Sequence, residues 1–133
     1  MPVDHFKKRI LITDDLPSAR RILKSLLMRL GFELIDEAPS GRVALERLQV
    51  DKFDVVISDW EMPDMTGLEL LRAIRASPDF KSMPVIMVTS ASSREAVIES
   101  LNAGVNSYIL KPFNHESLLA ALTKVFDTPS PKV

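Results

Sequence analysis

The sequence predicts an α/β sandwich, one parallel sheet of five strands covered by helices on both faces. Two patterns predict it. Short apolar runs alternate five times with stretches of helical periodicity. The runs are nearly continuous in Val, Ile and Leu, as expected of strands buried on both faces. A chain of 133 residues also suits one domain of ordinary size.

Arg9-Ile10-Leu11-Ile12-Thr13 reads as the first strand. Ala19, Ile22, Leu23, Leu26, Leu27 and Leu30 then recur at helical spacing. Pro17 suits the first turn of that helix and Gly31 its stop. Glu33 to Glu37 is a weaker strand, and Ser40 is placed to cap a helix running to Val50, with Val43, Ala44, Leu45 and Leu48 inward. Phe53 to Ser58 is the third strand. Thr66 to Ala76 is a helix bearing Leu68, Leu70, Leu71 and Ile74. Pro84 to Thr89 is a strand, Ser93 to Ala103 a helix ended by Gly104, and Asn106 to Leu110 the fifth strand. Asn114 caps a last helix with Leu118, Leu119, Leu122, Val125 and Phe126 on its apolar side. The expected organisation is an N-terminal lead over 1–8, a domain over 9–126 and a flexible tail over 127–133.

Composition narrows the function. A formal net charge of -1 supplies no global field for nucleic acid or an anionic membrane. The absence of Cys excludes disulfides and thiolate metal sites and is compatible with a reducing cytoplasm. Lys7, Lys8 and Arg9 precede an apolar stretch of only Ile10-Leu11-Ile12, too short for a signal peptide. No apolar run is long enough to span a bilayer, so the expected location is the cytoplasm.

Right-handed crossovers place the C-terminal ends of all parallel strands on one sheet edge, where α/β proteins keep their chemistry. Here that edge collects Thr13-Asp14-Asp15, Ser58-Asp59, Thr89 and Leu110-Lys111. Each has an ordinary reading: Asp14-Asp15 or Thr89 as helix caps, Asp59 as a turn residue, Lys111 as a solvated lysine. Taken together, four independent strand tips would each have to carry a suitable residue by chance. If Asp14, Asp15 and Asp59 converge to about 5 Å, each pair repels by roughly 3 kcal/mol at an effective dielectric near 20. Such a cluster must protonate, recruit a lysine or bind a cation. Lys111 offsets one of the three charges, and a divalent cation fits the remainder. The donors are all oxygen, which favours Mg²⁺ or Mn²⁺ over Zn²⁺. A carboxylate beside such an ion can act as a nucleophile toward phosphorus, and the ion and Lys111 can neutralise charge on a transferring phosphoryl group. Thr89 can donate its hydroxyl to that group after transfer.

These residues carry a resemblance. Ile12-Thr13-Asp14-Asp15, Arg20-Arg21-Ile22-Leu23, Ile57-Ser58-Asp59-Trp60-Glu61-Met62-Pro63, Thr66-Gly67-Leu68-Glu69-Leu70-Leu71, Val85-Ile86-Met87-Val88-Thr89 and Tyr108-Ile109-Leu110-Lys111-Pro112-Phe113 resemble the response-regulator receiver domains from Arg9 to Phe126. The Ser58-Asp59-Trp60 and Tyr108-to-Phe113 portions lean toward the chemotaxis branch of that family. The resemblance implies a flavodoxin-like (βα)5 fold, doubly wound, with strand order 2-1-3-4-5. It implies Asp59 as the phosphoacceptor, taking a phosphoryl group from a sensor histidine kinase. Mg²⁺ would be held by Asp15, Asp59 and the backbone carbonyl of Glu61, with Asp14 holding a water of its shell. Lys111 would bridge to the phosphoryl group, before a cis bond to Pro112. Thr89 and Tyr108 would form the switch, and the face made by Ser93–Ala103, Asn106–Leu110 and Asn114–Phe126 would change affinity for a target such as a flagellar-motor switch protein. A phosphatase is a further partner the family allows. The chain is then a signalling protein that assists its own phosphotransfer and dephosphorylation, not an enzyme. The rival within the family is a stand-alone or excised receiver, an adaptor or phosphorelay intermediate outside chemotaxis, with the Pro129-Ser130-Pro131 tail as a linker stub.

Two positions depart from the chemotaxis pattern. Glu61 stands where Asn is common, and Ala91 where Glu is common. Both flank the path of the water that hydrolyses the acyl phosphate, so phosphate lifetime is expected to differ, and Glu61 could reach toward Lys111 or the metal. Other classes fit poorly. No Gly-rich loop with Lys-Ser or Lys-Thr exists for a P-loop enzyme. Asp14-Asp15 would repel a flavin phosphate, and Glu61 occupies the place of the second Asp of aspartyl phosphatases. Arg20, Arg21, Lys24 and Arg29 read as a solvated helix face, and Met83 and Met87 as packing.

Overall fold

Over the described residues, 6–90 and 94–127, the computed structural model places the expected alternation of strands and helices. In chain order these are β1 (Arg9–Thr13), α1 (Pro17–Arg29), β2 (Leu34–Ala38), α2 (Gly41–Val50), β3 (Val55–Asp59), α3 (Gly67–Ala76), β4 (Val85–Thr89), α4 (Arg94–Asn102), β5 (Ser107–Leu110) and α5 (His115–Asp127). The strands pair in parallel in the order β2-β1-β3-β4-β5, the flavodoxin-like arrangement. The expected tail beyond 127, the first five residues and Ala91 lie outside the described residues.

Local signals start and stop the helices as read. Pro17 opens α1, and Gly31 follows it at φ 109, a backbone region closed to most side chains. The Ser40 hydroxyl accepts from the Val43 N–H at the start of α2. Thr66, expected as the first residue of its helix, instead caps α3 and forms a reciprocal capping box with Glu69. The Asn114 side chain accepts from the Ser117 N–H before α5.

Alternation along the strands sends side chains to two cores. Ile10, Ile12, Val55, Ile57, Ile86, Val88 and Ile109 meet Leu23 and Leu27 of α1 and Leu118 and Leu122 of α5. Leu11, Val56, Val85 and Met87 meet Ala44 and Leu48 of α2 and Leu70, Leu71 and Ile74 of α3. Each of the fully buried Val, Leu, Ile and Met side chains among them contributes about 1.5–3 kcal/mol. Ile22 departs from the apolar stripe: it is 61% exposed, because Leu23 and Leu27 take the inward face of α1. Arg75 ties the lower connections together by donating to the carbonyls of Lys81, Met83 and Gly104 and to Asn106 Oδ1.

Candidate functional site

Strand register assembles the site. Thr13 pairs with Ser58, so Asp14 emerges beside Asp59. Asp59 pairs with Val88 and Thr89 pairs with Leu110, so Thr89 and Lys111 follow along the same edge. The Lys111 N–H donates to the Thr89 carbonyl at 2.8 Å, which carries the lysine over the strand ends. The Lys111–Pro112 peptide is cis.

Asp59 is the last residue of β3 and is 8% exposed. Lys111 Nζ donates to Asp59 Oδ1 at 2.9 Å. This replaces the ordinary readings of Asp59 as a turn residue and of Lys111 as a solvated side chain. Asp14 is buried and Asp15 half-buried. Asp14, Asp15 and Asp59 each present a carboxylate oxygen within 4.8 Å of the others. Burial holds the Asp14 carboxyl above the ordinary carboxylate range. The Leu16 N–H, 2.9 Å from Asp14 Oδ1, works against that shift, as does Lys111, while Asp59 and Asp15 add to it. The helix-capping reading of Asp14 is not met: Leu16 is the N-cap of α1, and the Asp14 carboxylate makes an Asx-type turn onto the Leu16 N–H.

The residues fit a hard divalent cation. The donors are carboxylate oxygens, their mutual repulsion leaves negative charge after Lys111 is counted, and the Thr13 hydroxyl, 1% exposed, has no protein partner among the described residues. A cleft of about 300 Å³ opens here between α1 and the segment after β5, lined by Thr13, Asp14, Leu23, Asp59, Lys111 and Phe113 among others.

The turn after β3 is fixed by Gly67, whose N–H donates to the Trp60 carbonyl at 2.8 Å. A Cβ on Gly67 would fall onto the Asp59 carbonyl oxygen and lie 2.7 Å from Met87 Sδ. Only glycine lets α3 start this close to the site. Glu61, in that turn, is exposed. Its carboxylate reaches neither Lys111 nor the carboxylate cluster; it accepts from the Ser90 hydroxyl at 3.2 Å, linking the connection after β3 to the one after β4.

Thr89 and Tyr108 lie on the face of the sheet shared with Met87, and their side chains are hydrogen-bonded. Burial pushes the Tyr108 phenol up, and the Thr89 hydroxyl partly offsets it. Tyr108 also packs edge-to-face on Trp60, centroids 6.4 Å apart. One physical chain therefore runs from Trp60, the residue after Asp59, to Tyr108 and Thr89.

Arg20 does not belong to the solvated face expected of it. Its side chain is 15% exposed, pairs with Glu37 Oε1 at 3.1 Å and donates to the Asp14 carbonyl at 2.7 Å. The signal was in the spacing: positions 20, 23 and 27 share one helical stripe with the buried leucines. Ser90 was also missed, since a hydroxyl after a strand end has no distinctive pattern.

Comparison with known proteins identifies the family and the fold. Residues 10–123 match the family described as response regulator receiver domain. The chain is 46% identical over 119 residues to the chemotaxis protein CheY of Pseudomonas aeruginosa, covering 90% of this chain and 96% of that protein. It is 47% identical to CheY-3 of Vibrio cholerae, covering 90% and 92%. Among solved structures, Vibrio cholerae CheY4 superposes with a TM-score of 0.83 at 37% identity, covering 90% of this chain and 98% of that one.

Proposed function

Because this chain belongs to the response regulator receiver domain family and is closely related to CheY chemotaxis regulators, we propose that it is a phosphorylation-activated regulator whose phosphoacceptor is Asp59. The observation that carries the reading is the meeting of Asp14, Asp15 and Asp59 within 4.8 Å, with Lys111 on Asp59. The donor is a sensor histidine kinase, the setting chemotaxis and flagellar-motor control in the cytoplasm, and the output face α4, β5 and α5.

In the reaction, an Asp59 carboxylate oxygen attacks the phosphorus of a phosphohistidine. The P–N bond breaks, the electron pair returns to the imidazole, and an acyl phosphate forms on Asp59. Register holds Asp59 immobile at the strand end, which lowers the entropic cost of attack. Lys111, already 2.9 Å from the carboxylate, follows the charge onto the phosphoryl oxygens. Asp15, Asp59 and the Glu61 carbonyl would hold Mg²⁺, with Asp14 in its outer shell. That ion supplies charge neutralisation of the transferring group. The Thr89 hydroxyl leaves its bond with Tyr108 to donate to a phosphoryl oxygen, and the phenol, freed, repacks beside α4. Phosphorylation thus biases two arrangements of one face. The protein assists its own transfer and hydrolysis and turns over no separate substrate.

A pull-down comparing beryllofluoride-loaded wild type with Asp59→Asn tests the output. Recovery of a flagellar switch protein by the loaded wild type alone supports this reading. Recovery of a histidine phosphotransfer protein instead would favour a phosphorelay role outside chemotaxis.

A further inference from the structure

We propose that Arg20, held by Glu37, is a positioning residue for the cation site: it fixes the backbone of Asp14 and thereby the aim of the Asp14-Asp15 pair. The inference rests on the reading that this cluster takes Mg²⁺. Two adjacent carboxylates that repel each other and Asp59 tend to swing apart into solvent. Three restraints from different elements oppose this at Asp14. Its N–H donates to the Ala38 carbonyl at the end of β2. Its Oδ1 accepts from the Leu16 N–H. Its carbonyl accepts from an Arg20 terminal nitrogen at 2.7 Å.

A guanidinium beside a dication site is electrostatically adverse unless its charge is cancelled. Glu37 offsets part of it: its carboxylate accepts from Arg20 Nε at 3.1 Å and is shared with Lys24, 3.6 Å from its other oxygen. The planar fork serves both partners at once, one nitrogen toward the carboxylate and another toward the carbonyl. A lysine ammonium has no such fixed fork. Arg20 thus works as a hydrogen-bond donor with its charge partly offset, and the weak edge strand β2 contributes to the site through Ala38 and Glu37.

The sign of one measurement separates positioning from simple charge. Removing a cation near the cluster should tighten Mg²⁺ on electrostatics alone, whereas loss of positioning weakens it. The experiment is Mg²⁺ titration of the full chain by Trp60 fluorescence and by calorimetry, at low and high ionic strength. It uses wild type, Arg20→Ala, Arg20→Lys and Glu37→Gln, with folding checked by circular dichroism in EDTA. Arg20→Ala and Arg20→Lys are expected to weaken Mg²⁺ binding about tenfold at both salt levels, the usual effect of an outer-shell partner. Glu37→Gln, which keeps an acceptor but unmasks the guanidinium, should weaken binding at low salt and recover at high salt. Wild-type or tighter affinity in both Arg20 variants would overturn the positioning role. A wild-type chain that does not respond to Mg²⁺ would overturn the cation reading itself, and the inference with it.

Discussion

Lys111 Nζ lies 2.9 Å from Asp59 Oδ1, so the carboxylate at the heart of the acidic cluster carries its own counter-ion. The pair offsets one of the three carboxylate charges that meet at the sheet edge. Breaking a buried pair costs about 3–5 kcal/mol. The Lys111 side chain is 36% exposed, and solvent screening reduces that figure. Lys111→Ala should therefore destabilise the protein by about 1–2 kcal/mol in EDTA, read by urea unfolding. Saturating Mg²⁺ should shrink the difference, because the ion replaces the lost positive charge.

Asp14 gives a pH dependence of opposite sign to the usual carboxylate. Its native pKa is raised, chiefly by burial, so the native state holds the proton more tightly than the unfolded chain. Its contribution is fully present below the ordinary carboxylate value and is lost as pH rises through the raised native value. In EDTA, the stability of Asp14→Asn relative to wild type should grow as pH rises above the ordinary carboxylate value and through the raised native one. Thermal melts of both proteins check this, and Mg²⁺ should reverse the order at neutral pH.

The Thr89–Tyr108 contact is open to spectroscopy because Tyr108 is the single tyrosine. Thr89 lowers the phenol pKa that burial raises. Thr89→Val should move the alkaline phenolate titration upward. An unchanged or lower midpoint would show that the two groups are uncoupled.

Glu61 and Ser90 bridge the two connections that flank Asp59 and Thr89. If this contact restricts the approach of hydrolytic water, Glu61→Asn should speed loss of label from ³²P-phosphorylated protein. The expected change is about twofold to tenfold, the rate equivalent of one hydrogen bond. Ala91→Glu is the companion variant, and unchanged decay in both would remove these positions from control of phosphate lifetime.

Much of this was legible in the sequence for a physical reason. Strands buried on both faces leave near-continuous apolar runs, and caps such as Ser40 and Asn114 mark helix starts. Crossover handedness then brings the strand tips together without knowledge of any side-chain contact. What periodicity does not specify is partner choice. Arg20 reads as one more surface cation until β2 places Glu37 beside it. Glu61 reads as a possible partner of Lys111 until Asp59 is seen to hold that lysine and Ser90 to hold Glu61. The exposure of Ile22 follows from rotation of α1 about its axis, which Leu23 and Leu27 decide by packing.

Intact-mass analysis after incubation with acetyl phosphate and Mg²⁺ tests the central claim most directly. Wild type should gain the mass of a single phosphoryl group, labile to alkali and suppressed by EDTA, and Asp59→Asn should gain none. A wild-type protein that stays unmodified with Mg²⁺ present, or an Asp59→Asn protein modified as fully as wild type, would contradict the assignment of Asp59 as phosphoacceptor.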